Sequence, residues 1–462
     1  MRFASLVLAS LLLPATAAAH GRPAFVGQIV FHPTDPDVIV ARGTWGLAIT
    51  EDGGASWRWL CAAVAGVDAT REDPAILVTP DGSILFGTYD GLARSTPDRC
   101  AFERPAALDG RFVIDLAPDA SEPSVVWAIA TSGGEPDEVF RSADEGRTFR
   151  RVGMPVDEIL LERVRVAPSD PSRVYLSGAI PVVAIRYDGG VPDGGPATTE
   201  RRGMLLRSRD GGERFEVIEV PLLDEERNVH LLAVDPTDPD RLLVRMTRRI
   251  IDPREERVVL SEDGGETWTT VMSARQISGG AFSAGGARAW VSSRVLDGLF
   301  RSDDAGRSFS QLEQLSMPCV AARGDEVWAC VDELVHGYSA VRSSDGGDTL
   351  ETALRFSDLY ELVECSRCTP VGHLCPQWFP DLVYDLRLDA STGGEFLDGS
   401  TGGPRDAGTL PGECGMDGSV PARDAGPGGG DDGCGCRAAG RGGPAPSWLV
   451  GLALFAALRR RG

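Results

Sequence analysis

Basic residues are scarce in this chain: 46 of them face 68 acidic residues, for a net charge of −22 at pH 7. That balance excludes nucleic acid and anionic membrane surfaces as partners and leaves a solvated, acidic surface. Aromatic residues make up only 7%, whereas Gly (56) and Pro (31) are plentiful, which suits many short strands joined by turns. Long hydrophobic runs are missing too; the two apolar stretches, 6–13 and 448–458, are both short. No loop carries the alternating acids and closing Glu of a calcium hand. No cofactor and no metal is expected.

What the chain does have is one eight-residue pattern in six good copies. It reads Thr50-x-Asp52-x-Gly54-x-Ser56-Trp57, and it returns around Asp144, Asp210, Asp263, Asp304 and Asp345. A further copy at 95–102 keeps the register but lacks the Asp and both Gly. Ser or Thr and Asp side chains bond backbone N–H groups two residues on and so hold a turn locally. Gly in the fifth place supplies a backbone angle that other residues adopt only at a cost. The closing aromatic opens the next strand and offers apolar surface to a core. A carboxylate repeated once per unit is a structural device, because an active site needs one constellation and not six.

The pattern resembles the Asp-box, or BNR repeat, of sialidases, sortilin-like receptors, some glucan hydrolases and photosystem II assembly factors. The resemblance covers about 24–354 and implies a β-propeller. Units of about 40 to 65 residues each contain a first strand, a Pro-Asp turn, a second strand, a third strand, the box and a fourth strand. Seven such units predict an all-β, seven-bladed propeller over 20–354. The Pro-Asp turns and the boxes then share one face. The second-to-third connections and the inter-blade loops share the other, the insertion face, and long loops on a rigid scaffold are where binding concentrates. On that face Tyr187, Asp188, Arg201 and Arg202 in the fourth unit, with Arg248, Arg249 and Arg254 in the fifth, are the candidate binding residues.

Past the repeats, 355–388 reads as a small Cys-containing cap, and 389–443 as a disordered Gly/Asp/Pro-rich linker that cannot bury enough apolar surface to fold. Ten cysteines in an exported chain favour disulfides. Cys319 and Cys330 flank one hairpin. Cys61 and Cys100 lie one blade apart, where a bond would replace the turn bonds lost at 95–102. Cys365, Cys368, Cys375 and Cys414 would form the other pairs. Cys365, Cys368, His373 and Cys375 also have zinc-ligand spacing, and the oxidising compartment favours disulfides over that reading.

Both chain ends speak of location. Arg2, the apolar run at 6–13 and Ala17-Ala18-Ala19 have the layout of a secretory signal, so 1–19 are expected to be removed. At the other end Gly433-Cys434-Gly435-Cys436 precedes Pro444-Ala445-Pro446-Ser447, the apolar run 448–458 and Arg459-Arg460-Arg461. A helix over that run would reach ~17 Å, short of a ~30 Å hydrocarbon core. The arrangement resembles the C-terminal sorting tag of myxobacterial surface proteins, which implies processing near Cys434 or Cys436 and retention at the cell surface. An uncut transmembrane anchor over 444–462 is the other reading.

The expected function is that of a monomeric, exported, surface-anchored propeller binding a protein or glycan. The alternative is a sialidase-like or other glycoside hydrolase or lyase acting on extracellular polysaccharide. Sialidases carry an early Arg-Ile-Pro, an arginine triad and a Tyr–Glu nucleophile pair. No Arg-Ile-Pro occurs here, and the early region offers Arg42 within Ala41-Arg42-Gly43.

Overall fold

Seven antiparallel blades of four consecutive strands follow one another along the chain, and the sheet of the first gains a fifth, parallel strand from beyond the seventh. In the computed structural model, residues 22–69, 71–133, 135–181, 201–248, 255–386 and 388 are described. The blades occupy 26–60, 75–103, 112–156, 160–220, 226–274, 277–313 and 319–354. The first strand of each blade touches the first strand of the next, and Val26–Phe31 meets Cys319–Arg323 to complete the ring. The fold is therefore an all-β, seven-bladed propeller. Second strands such as Ile84–Thr88 are buried along their whole length, whereas outer strands such as Ser310–Glu313 stay largely exposed.

The eight-residue turns join third to fourth strands, and their bonding repeats from blade to blade. In the first, the Thr50 hydroxyl donates to Asp52 Oδ1 at 2.7 Å and accepts from the Gly54 N–H at 2.9 Å. Asp52 in turn accepts from the Ser56 N–H at 2.9 Å and the Ser56 hydroxyl at 2.6 Å. Asp304 is bonded in the same way by Ser302 and Ser308. The fourth residue's N–H reaches back to the first-to-second turn, as in Gly53 to Asp37 O at 2.9 Å and Gly264 to Asp240 O at 2.8 Å. Both sets of turns thus lie on one face.

The glycine in the fifth place does more than turn the chain. A Cβ on Gly212 would stand 2.7 Å from the Trp127 ring, and one on Gly265 would stand 2.5 Å from Leu205. In each case the neighbour belongs to the preceding blade, so the turns are also the joints between blades. Gly54 rests in this way on Trp328, which carries the joint across the ring closure. The Trp57 indole donates to Ala353 O at 2.9 Å at the same seam.

Two expectations about these turns change. The fourth place is left-handed as well as the fifth: φ is 69° at Gly53, 61° at Glu145 and 62° at Ala305. At the degenerate copy the acid is not lost but displaced by one residue. The Thr96 hydroxyl donates to Asp98 at 2.5 Å, and Asp98 accepts from the Cys100 N–H at 3.1 Å.

The C-terminal module supplies the largest correction. Cys61 bonds Cys375, Cys100 bonds Cys365, and Cys319 bonds Cys330. The expected Cys61–Cys100 bond does not form, because a segment running along the rims of blades 1 and 2 reaches each cysteine separately. Cys368 is disulfide-bonded too, so the zinc reading of this cluster fails. The module adds strand Glu361–Leu362 parallel to Arg58–Leu60, then the helix Pro370–Asp385, opened by Thr369 as N-cap and Pro370 in the first turn. Val371, Cys375 and Leu382 of this helix bury against blade 1, and Phe379 packs at 6.0 Å from Trp59.

The signal segment, the linker, Cys414, Cys434, Cys436 and the run at 448–458 lie outside the described residues. Among the described residues no helix is long and apolar enough to cross a membrane.

Candidate functional site

The first strand of each blade starts at the insertion face, and one of its edges borders the ring axis with no strand beyond it. Its backbone groups need other partners. Gln28 satisfies both groups of Ile76, accepting from its N–H and donating to its carbonyl, each at 3.1 Å. Asp115 accepts from the Val164 N–H at 3.0 Å, and the Ser177 hydroxyl accepts from the Leu231 N–H at 2.9 Å. These side chains stitch the inner strands of blades 2, 4 and 5 to the blade before each.

A polar network grows from these stitches toward the insertion-face end of the axis. Arg163 donates to Asp115 at 2.9 Å and to His230 Nε2 at 2.8 Å, while Arg165 donates to Asp115 at 2.8 Å. His230 Nδ1 lies 3.2 Å from Glu162. Because Nε2 accepts from an arginine, the ring proton is assigned to Nδ1, which donates to Glu162. Burial, then the positive fields of Arg163, Arg245 and Arg165, hold His230 well below its usual range, so it is neutral. Glu256 accepts two bonds from Arg245, both at 2.9 Å, and one from the Ile277 N–H at 2.8 Å.

Beside this network stands a group of arginines around one carboxylate. Arg42 donates to Asp73 at 2.8 Å, and Arg22 bonds the other oxygen of the same group. Arg42 is buried, and that burial pulls it down to about 10 despite Asp73. Arg294 follows the second strand of blade 6 and lies over the Phe25 ring at 5.2 Å. Although its side chain reaches solvent, desolvation by the surrounding protein lowers it too, and the fields of Arg245 and Arg22 act in the same direction against Asp73. The chain contains no lysine, so every basic side chain here is a planar guanidinium.

The titratable groups of this network are engaged by internal bonds. A general base needs a free lone pair near its operating pH, and both nitrogens of His230 are engaged. Asp115 and Glu256 are saturated by backbone and arginine donors. Among the described residues the two carboxyls pushed upward are Glu333 and Asp385, each chiefly by burial. Glu333 accepts from the Phe356 N–H at 2.8 Å, which is a structural bond, and Asp385 ends the C-terminal helix. Among the described residues no group of three metal-ligating side chains converges.

Of the seven residues expected to bind, Tyr187, Asp188, Arg249 and Arg254 lie outside the described residues. Arg201 opens the strand Arg201–Ser208. Arg202 is exposed and paired with Glu219 on the outer strand of its blade. Arg248 donates to Asp224 O at 3.4 Å. The mouth arginines instead come from positions 22, 42, 245 and 294, which no local motif connects. For Arg42 and Arg245 the available signal was a charged residue within a largely apolar second strand, whereas Arg22 and Arg294 lie outside the strands.

Neither a family model nor a curated protein matches this chain. Among solved structures it is similar to an ancestral GH74 enzyme, with 14% identity and a TM-score of 0.55, over 71% of this chain and 46% of that one. This chain therefore spans less than half of that enzyme's length. YCF48 from Cyanidioschyzon merolae matches with 16% identity and a TM-score of 0.37, over 71% and 85% of the two chains. A chain of a nidogen/laminin complex matches with 13% identity and a TM-score of 0.39, over 59% and 95%. At these identities the likeness is one of fold.

Proposed function

We propose that this chain is an exported, surface-anchored Asp-box propeller that binds a protein or glycan at its insertion face and catalyses no reaction. The observation that carries this reading is the state of the mouth. Its histidine and its stitching carboxylates are consumed by internal bonds, while its arginines keep donors to spare. The side-chain bonding of the six turns supports the Asp-box assignment. Disulfides at the ring seam and rim suit an oxidising compartment, in line with the signal-like N-terminus and the sorting-tag-like C-terminus.

The alternative, hydrolysis or lyase cleavage of extracellular polysaccharide, requires acid, base or nucleophile side chains free to act on a substrate, two carboxyl groups in most glycoside hydrolases. The test is to incubate the purified protein with a panel of glycans and follow both retention and product release. Retention of a glycan or a protein without new sugar ends supports the proposal; catalytic release of sugar overturns it. Anchoring is tested on surface-purified protein by mass spectrometry. A mature C-terminus near Cys434 or Cys436 supports the tag, and recovery of the intact Arg459-Arg460-Arg461 tail argues for an uncut anchor.

A further inference from the structure

Exposed large apolar side chains are distributed unevenly over this molecule. Leu296, Leu334, Val335 and Tyr89 are exposed on second-to-third connections, and the exposed Phe112 opens the first strand of blade 3. They therefore share the insertion face. Leu334 and Val335 are 65% and 60% exposed on a one-turn helix. Ser316 ties that helix to the Leu296 turn: its N–H donates to His336 at 3.0 Å and its hydroxyl bonds the Arg294 carbonyl. Tyr89 packs edge-on against Phe112 at 4.7 Å and is held by bonds to Glu72 and Arg71. These side chains belong to blades 6, 7, 2 and 3, and the arginine group includes Arg42 of blade 1 and Arg294 of blade 6.

That group has donors without acceptors. Arg42 is only 7% exposed, yet its Nε has no hydrogen-bond partner, and among the described residues its one bonded nitrogen is Nη1. Its Nη2 lies 2.9 Å from where a Cβ on Gly27 would stand, and that same Cβ would meet the Phe25 ring at 3.1 Å. Phe25 in turn underlies Arg294, so its ring stands near both guanidinium groups. Arg294 has no salt bridge among the described residues. Asp73 alone faces Arg22 and Arg42. In a chain of net charge −22, Arg22, Arg42 and Arg294 share the single carboxylate of Asp73.

We propose that the insertion face docks an acidic protein segment. Arg294 and Arg42 receive its carboxylate, and its apolar flanks cover Leu296, Leu334, Val335 and the Tyr89–Phe112 pair. This rests on the binding function proposed above and names its partner class. Charge complementarity specifies the acid, because a forked guanidinium engages a carboxylate through two parallel bonds. The aliphatic patch favours protein over sugar: aromatic faces serve either, whereas exposed leucine and valine are covered by apolar side chains.

The experiment uses fluorescence anisotropy on the full chain with three labelled probes. They are a short peptide of alternating glutamate and leucine, its glutamine counterpart and an oligouronate. The glutamate peptide is expected to bind, and the glutamine peptide at least ~10-fold more weakly, the equivalent of about 1.4 kcal/mol. Arg294→Gln, on an exposed residue that does not jeopardise folding, should weaken the glutamate peptide by a similar factor. Leu334→Glu with Val335→Glu should weaken it further, and added salt should do the same. Asp263→Ala on the opposite face should leave it unchanged. Equal binding of both peptides, or an unaltered affinity in Arg294→Gln, overturns the proposal. Oligouronate binding in place of the peptide overturns it while leaving the binding function standing; sugar release overturns both.

Discussion

Cys61 and Cys375 are 314 residues apart in the chain and 5.3 Å apart at their Cα atoms. Blades 1 and 7 each take their four antiparallel strands from their own stretch of chain, and Glu361–Leu362, which follows blade 7, adds a parallel strand at the outer edge of blade 1. Closure falls to apolar packing around Trp328 at the seam, while the two long-range disulfides staple the C-terminal module across the rims of blades 1 and 2. Replacing either long-range pair by serine is expected to cost about 2–4 kcal/mol, through the entropy returned to the unfolded chain. Removing both should cost more than the sum, because whichever bond remains still closes most of the same loop. Denaturant midpoints of the two single-pair variants and the combined variant check this. An unchanged midpoint after loss of both bonds would contradict it.

The turn aspartates make the fold acid-sensitive. Burial raises Asp52, but the bonds from Ser56 and Thr50 outweigh it and bring it to about 2. Asp304 is brought to about 2 by its bonds from Ser302 and Ser308. An unfolded aspartate titrates near ~3.9. The folded values are depressed, so their contribution is complete above about pH 4 and is lost as pH falls toward about 2. Asp52→Asn with Asp304→Asn should flatten unfolding curves in that window and leave the pH dependence at neutrality unchanged. Asp263→Ala should lower stability by about 1–3 kcal/mol through turn N–H groups left without an acceptor. Loss of ligand binding at an unchanged melting temperature would contradict its structural role.

The propeller was legible because its signals are local and repeated. Each box holds its own turn by side chains two and four residues apart, and the expected second strands all fall on observed ones. The site was not legible, because its cations come from positions scattered between Arg22 and Arg294 and meet only when the ring closes. The disulfide partners were hidden for the same reason: Cys61 and Cys100 are neighbours among the blades, yet a segment arriving from the far end of the chain claims both. At 95–102 the pattern is read one residue too early. Thr96 and Asp98 keep the hydroxyl-to-carboxylate bond of a box, but Asp98 accepts from the N–H two residues on and Thr96 from the one five on, a change that only backbone geometry reveals.

Ala305 offers a stabilising substitution. It occupies the fourth place of its turn with φ at 62°, where Gly53, Gly211, Gly264 and Gly346 stand in four of the other turns. An L-residue in the left-handed region costs ~1–2 kcal/mol, and glycine returns part of that gain as backbone entropy when the chain folds. Ala305→Gly is expected to raise stability by up to about 1 kcal/mol, read as a higher denaturant midpoint with an unchanged slope. A lower midpoint would show that the Ala305 methyl contributes packing that outweighs the strain.

His230 sets a second acid window, at higher pH than the first. Its folded value is well below 6.5, first through burial and then through Arg163, Arg245 and Arg165. The unfolded imidazole titrates near ~6.5. Between those limits the unfolded chain binds a proton that the folded chain refuses, so stability rises with pH there. The contribution of the neutral ring is therefore complete above about pH 6.5 and declines below it. The slope from this one group reaches at most about 1.4 kcal/mol per pH unit. Glutamine can accept from Arg163 and donate to Glu162 but cannot take up a proton. His230→Gln should accordingly cost little near neutrality and lose less stability than the parent on going to about pH 5. Unfolding free energies of both proteins across this range decide the point. Parallel curves would mean that His230 is protonated in the fold, with Glu162 rather than the surrounding arginines setting its charge.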